Sequence, residues 1–108
     1  MAKSIPEKIR KHVDEIVKAL NQKMSKDPRC FYTTKFKGTY PYLDRVDYEV
    51  TTHICRLKFM GRIDNWEFAI YKYSDNGYDP DEWMFPGTEQ IDGTIEGAMK
   101  AGLEAYPP

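Results

Sequence analysis

Four side chains in the middle of the chain put positive charge and aromatic rings at alternate positions: Arg56 and Lys58 in one run, Tyr71 and Tyr73 in the next. In strands, that spacing sets each pair on one face of a sheet. Rings that stack on bases and cations that meet phosphates are the chemistry of single-strand RNA readers. Lys35 and Lys37 alternate in the same way on an earlier run and would add charge. Trp83, in the segment Trp83-Met84-Phe85-Pro86-Gly87, is the remaining candidate. It either joins the binding surface or lies over Tyr71 and Tyr73 as a cover, with Arg56 and Lys58 meeting Asp79, Asp81 and Glu82. A pocket under the Trp83–Phe85 segment would instead suit a small molecule or an enzyme.

Other constellations carry less. His53 and Cys55 share a strand face by alternation, with Cys30 a few strands away. No Cys-x-x-Cys spacing accompanies them, and a zinc site needs a fourth ligand. A Cys–His nucleophile needs an orienting third group and an oxyanion site, and neither is marked. His12 flanks an apolar helix stripe, where a partly buried structural histidine is ordinary. Asp75, Asn76, Asp79, Asp81 and Glu82 offer oxygen ligands without the EF-hand spacing, so a solvated turn is expected. Tyr42-Leu43-Asp44-Arg45 either orients a ligand or ends an edge strand with surface charge. The expectation is a binding or interaction module without catalytic residues, metal or cofactor. Its partner is a protein, a second copy of the chain or nucleic acid, and not a membrane.

The elements that must position these residues begin with a hairpin over Ile54 to Ser74. One face holds Cys55, Leu57 and Phe59 with Trp66, Phe68 and Ile70. The other holds Ile54, Arg56, Lys58 and Met60 with Glu67, Ala69, Tyr71 and Tyr73. Paired residues share a face and a one-residue slip exchanges the faces, so the loop must be even. Four residues, Arg62 to Asn65, put Gly61 opposite Trp66, Arg56 opposite Tyr71, Lys58 opposite Ala69 and Ile54 opposite Tyr73. Before the hairpin, Ser4-Ile5-Pro6-Glu7 forms a capping box. Ile5, Ile9, Val13, Ile16, Val17, Leu20 and Met24 then form a helical stripe that Ser25-Lys26-Asp27-Pro28 ends. Cys30 to Lys37 alternates as a strand. It either bends at Gly38 and runs on as an edge strand to about Asp44, the preferred reading given Pro41, or turns there before a separate strand near Tyr42–Val50. After Asp75-Asn76-Gly77, about twenty residues lack periodicity, a length usual for functional or anchored loops. Thr94 reads as the N-cap of a second helix with Ile95, Ala98, Met99, Leu103 and Tyr106 on one stripe. Gly97 and Gly102 each cost that helix about 1 kcal/mol relative to alanine, which implies close approach to a neighbour.

These elements make one α+β domain over residues 1–108, an antiparallel meander of three strands, or four in the second reading, with both helices on one face. No apolar run reaches membrane length and the start lacks a signal-peptide core, so a cytoplasmic location is expected. The two cysteines fit free thiols there. The net charge of −1 hides an asymmetry: residues 1–72 carry 15 basic against 9 acidic side chains, and residues 73–108 carry 1 against 8. The halves neutralise each other on folding or form two partner surfaces. The helix–strands–helix order is similar to that of the double-stranded-RNA-binding domain. That domain grips phosphate with lysines opening its second helix, where this chain has only Lys100 beside Glu96 and Glu104.

Tyr42-Leu43-Asp44-Arg45, Cys55-Arg56-Leu57, Gly61, Trp66 to Ser74, Phe85-Pro86-Gly87 and Asp92 to Ala98 together resemble a family of small prokaryotic proteins with no assigned activity. The likeness covers about residues 40 to 107. It implies a single cytoplasmic domain and brings no catalytic or binding residues.

Overall fold

Residues 5–24, 27–38 and 40–107 are described by a computed structural model. In chain order they form α1 (Glu7–Met24), β1 (Cys30–Lys37), β2 (Tyr40–Asp47), β3 (Val50–Arg62), β4 (Asn65–Lys72), β5 (Gly77–Asp79) and α2 (Ile95–Ala105). The strands make one open antiparallel sheet whose spatial order is the chain order. The α+β meander is as expected, but it has five strands rather than three or four. The bent edge strand is replaced by two strands: Gly38 takes φ +61 and turns the chain, so that Lys37 faces Tyr40. Pro41 precedes the first β2–β3 pair, Tyr42 with Arg56, where its missing N–H breaks no bond to β3. Ser4 of the capping box and Ser25-Lys26 of the helix stop lie outside the described residues.

From Cys55 onward the hairpin keeps its faces but not its register, while Ile54, expected on the outer face opposite Tyr73, is fully buried against Gly102 of α2. Leu57 lies opposite Phe68, while Phe59, not Gly61, lies opposite Trp66, with the two rings 5.1 Å apart. Arg62 pairs with Asn65, leaving a two-residue turn at Ile63-Asp64, and Met60-Gly61 are taken up as an irregularity with Gly61 at φ +98. A slip of two residues preserves every side chain's face, so the parity argument survives where the loop length does not. Arg56 therefore faces Ala69, and Lys58 faces Glu67.

A second irregularity matters more. The β2–β3 register moves from Leu43–Cys55 to Asp44–His53, leaving Ile54 as the extra residue. Ile54 and Cys55 are both fully buried, and His53 is turned to the opposite face. The expected sharing of a face by His53 and Cys55 is thereby overturned, because a bulge resets the alternation.

The helices pack on β1 and β3 and against each other, so both lie on one side of the sheet. Val13, Val17 and Leu20 of α1 meet Tyr32, Leu43, Leu57, Phe68 and Met99 in the core. The Asn21 side chain of α1 accepts from Tyr32 N–H at 2.8 Å and donates to Tyr32 C=O at 2.9 Å, satisfying free groups on the edge strand β1. Thr94 caps α2 as expected, accepting from Gly97 N–H at 3.0 Å. Tyr32 donates to Met99 C=O at 2.6 Å. Arg45, expected at a surface, is 2 % exposed. It holds Asp47 at 2.9 Å and donates to the carbonyls of Gly102 and Tyr106, placing its charge at the C-terminal end of α2. No helix among the described residues is long and apolar enough to cross a membrane.

Candidate functional site

Helices and loop all gather on one side of the sheet. Phe85 stacks on Phe68 at 5.8 Å, and Gly87 lies against Ala101 and Glu104 of α2. Lys72, not Arg56 or Lys58, collects the loop's acids, with Glu82 at 3.1 Å, Asp75 at 3.4 Å and Asp79 at 3.8 Å. Bonds from Met84 N–H and Lys72 hold the Glu82 carboxyl below its usual range. The loop thus runs over the helix side. Trp83 stays 48 % exposed and Met84 92 % exposed. Among the described residues nothing covers the other face.

On that outer face the register makes rows across the strands. Thr33, Asp44 and His53 form one row, continued at the far edge by the pair Tyr71–Tyr78. Lys35, Tyr42, Arg56 and Ala69 form the next, and Lys37 and Tyr40 a third. Tyr42 and Tyr78 stand three strand spacings apart, about 14 Å in a flat sheet, yet their ring centroids are 5.2 Å apart. The side chains therefore lean inward across Arg56 and Ala69. Tyr71 sits 5.0 Å from Tyr78, 4.7 Å from Tyr73 and 5.1 Å from the His53 ring. The Arg56 guanidinium lies 4.6 Å above Tyr40 and 5.9 Å from Tyr78, and Lys37 Nζ lies 5.6 Å above Tyr42. Stacking of this kind holds a cation and a ring in fixed relation. Lys35, Lys37, Tyr42, Asp44, His53, Tyr71 and Tyr78 line a cleft of about 320 Å³.

Asp44 is 3 % exposed, and its Oδ1 lies 3.0 Å from His53 Nδ1. Burial raises the Tyr78 and Cys55 protons' affinity, and the Asp44 charge pushes both the same way. Tyr73 is raised as well, first by burial.

The structure puts Arg56 and Tyr71 on this face, though Tyr71 is buried beneath its neighbours; Tyr73 lies past the end of β4, edge-on to both Tyr71 and Tyr106 and beside Phe85 and Pro86 of the helix side. Lys58 shares the face farther along β3, and Trp83 belongs to the loop on the other side. Alternation does not mark out Tyr40 or Tyr78, sets His53 beside Cys55 rather than Asp44, and leaves Asp44 within a segment that either orients a ligand or ends a strand; the bulge that exposes His53 leaves no mark in alternation. His12 is exposed on α1. A second cavity of about 260 Å³, lined by Met24, Cys30, Tyr32, Tyr48, Met99 and Leu103 among others, lies between α1 and the β2–β3 turn. Its polar groups are already engaged, Arg45 with Asp47 and Asp27 with Arg29 at 3.0 Å. Among the described residues no group of three or more His, Cys, Asp or Glu could hold a metal ion.

Fold and face together define a small α+β domain with an open, cation- and tyrosine-lined sheet surface. Comparison with protein-family models, with curated proteins and with solved structures finds no match to this chain.

Proposed function

We propose that this protein is a binding module that takes single-stranded nucleic acid on the outer face of its sheet. The observation that carries the reading is Arg56 held over Tyr40 and Tyr78, with Lys37 over Tyr42, on a face without a cover. Bases stack on exposed parts of such rings, and the guanidinium edge and lysines meet phosphate. Lys35, Lys37, Arg56 and Lys58 outnumber the acids of this face, Asp44 and Glu67, and Asp44 is spent on His53. A protein partner or second copy would want lysines kept from the centre of its interface, whereas here Lys35 and Lys37 line the cleft itself.

The test is fluorescence anisotropy with a uridine-rich single-stranded RNA of about 12 nucleotides over 50–200 mM salt. Each cation engaged on phosphate contributes about −0.7 to the slope of log K against log salt, so four give about −2.8 and about 50-fold weakening across that range. Lys35→Ala with Lys37→Ala should halve the slope to about −1.4. Absence of binding at 50 mM, or an unchanged slope in the double variant, overturns the reading.

A further inference from the structure

Binding alone does not account for the pair at the floor of this cleft. Asp44 is a nearly fully buried carboxylate on the solvent side of the sheet, and its side-chain partner is His53 at 3.0 Å. Exposed ion pairs contribute little to stability, and burying a carboxylate costs several kcal/mol. A carboxylate accepts only, so the hydrogen between them sits on Nδ1, and in the neutral imidazole that leaves the lone pair on Nε2. Nε2 has no hydrogen-bond partner among the described residues, and the side chain is 51 % exposed beside Lys35, Lys37 and Tyr42.

The imidazole is also held more firmly than a surface histidine needs. The Ile54 bulge aims it outward, and the Tyr71 ring backs it at 5.1 Å. Its backbone is fixed by one phenol: His53 N–H donates to Tyr73 Oη at 3.1 Å, and the Tyr73 hydroxyl donates back to His53 C=O at 3.3 Å. Bulges that re-aim a side chain, and supports that lock its position, are features of reacting sites.

We propose that His53 is a general base that cleaves RNA lying on this face, an inference that rests on the nucleic-acid reading above. Nε2 takes the proton from a ribose 2′-OH, the 2′-oxygen forms its bond to the adjacent phosphorus, and the phosphorus–O5′ bond breaks. The imidazolium returns the proton to O5′ through a water, leaving a 2′,3′-cyclic phosphate and a 5′-OH with no other reactant consumed. Lys35 and Lys37 stabilise charge on the non-bridging oxygens. Asp44 is a positioning residue, holding the ring's orientation and tautomer through Nδ1.

Three 12-nucleotide probes test this: all-RNA, all-DNA, and DNA with one internal ribonucleotide. Wild type should bind all three, cut the RNA, cut the mixed strand only after its ribonucleotide, and leave a cyclic phosphate detectable by mass spectrometry. His53→Gln, purified identically, should lose at least about 100-fold in rate, the lower end of what a general base supplies, with less than about 3-fold change in Kd. Asp44→Asn should lower kcat by at least about 10-fold through loss of the fixed tautomer, with Kd for the all-DNA probe unchanged, and Asp44→Glu should restore part of the rate, a rescue that mere loss of stability, followed by Tm, does not produce. Intact RNA after binding by wild type, or His53→Gln at the wild-type rate, overturns the general base while sparing the binding reading. Failure of all three probes to bind overturns both.

Discussion

Gly102→Ala sets two physical effects of known sign against each other. In a helix interior alanine is favoured over glycine by about 1 kcal/mol, so propensity alone predicts a more stable protein. A Cβ at Gly102 would stand 2.4 Å from Tyr32 Oη and 2.5 Å from Ile54 Cγ2. Neither neighbour can yield cheaply. Tyr32 Oη is tied to Met99 C=O at 2.6 Å, and Ile54 is the fully buried extra residue of the β3 bulge. Overpacking costs about 1–3 kcal/mol and loss of the buried tyrosine bond about 1 kcal/mol more. The expected net effect is a destabilisation of about 1–3 kcal/mol, read as a lower urea midpoint with unchanged m-value. Tyr32→Phe removes the nearer atom, so in the double variant Gly102→Ala should cost about 1 kcal/mol less than it does alone. A single variant as stable as wild type, or additive energies in the cycle, would refute the claim that α2 carries glycine here to let the sheet approach.

Arg45→Met removes the guanidinium from Asp47 and from two α2-terminal carbonyls, and should cost about 3 kcal/mol in urea unfolding, with amide exchange accelerated over the last turn of α2. Glu49 takes φ +73 in the β2–β3 turn, beside Tyr48 at φ +51; Glu49→Gly should raise stability by about 0.5–1 kcal/mol, since glycine relieves the left-handed strain at some entropic cost. Hydrogen bonds from Arg29 lower the Asp27 carboxyl from 3.8 to about 2. A folded pKa below the unfolded one means this contribution is complete above about pH 4 and lost as pH falls through about 2. In an NMR titration Arg29→Ala should return Asp27 toward 3.8, and an unmoved midpoint would reject Arg29 as the cause.

The parts of the fold that depend on period alone were legible. The stripe of α1, the Thr94 cap, and the two faces of the β3–β4 hairpin from Cys55 onward all follow from spacing and survive in the structure. Register was not legible, because Gly61 could be read equally as a partner for Trp66 or as part of a bulge. The extra Ile54 is harder still: two apolar neighbours, Ile54 and Cys55, look the same in an alternating strand and in a bulge, yet the choice decides where His53 points. Arg45 looked like surface charge because its partners, the carbonyls closing α2, stand about sixty residues away in the chain. Alternation was enough to put Arg56 and Tyr71 on one face. The Asp44–His53 pair beside them needed β2 next to β3, a pairing hidden while Gly38 and Pro41 left the start of β2 open.

The strand order has a kinetic consequence. Every sheet neighbour is also a chain neighbour, so each hairpin closes over a short loop and the meander can zip from any of its turns. The distant contacts belong to α2, as in the Tyr32–Met99 bond across 67 positions. Low contact order favours a sheet that forms early and a helix that docks late. Substitutions in the β3–β4 hairpin should then slow folding, while those under α2, Gly102→Ala among them, should mainly speed unfolding. During synthesis the apolar side of a sheet awaiting α2 would stand open while the cleft around His53 already had its walls, so the reactive side of the molecule would be finished before the side that keeps it folded.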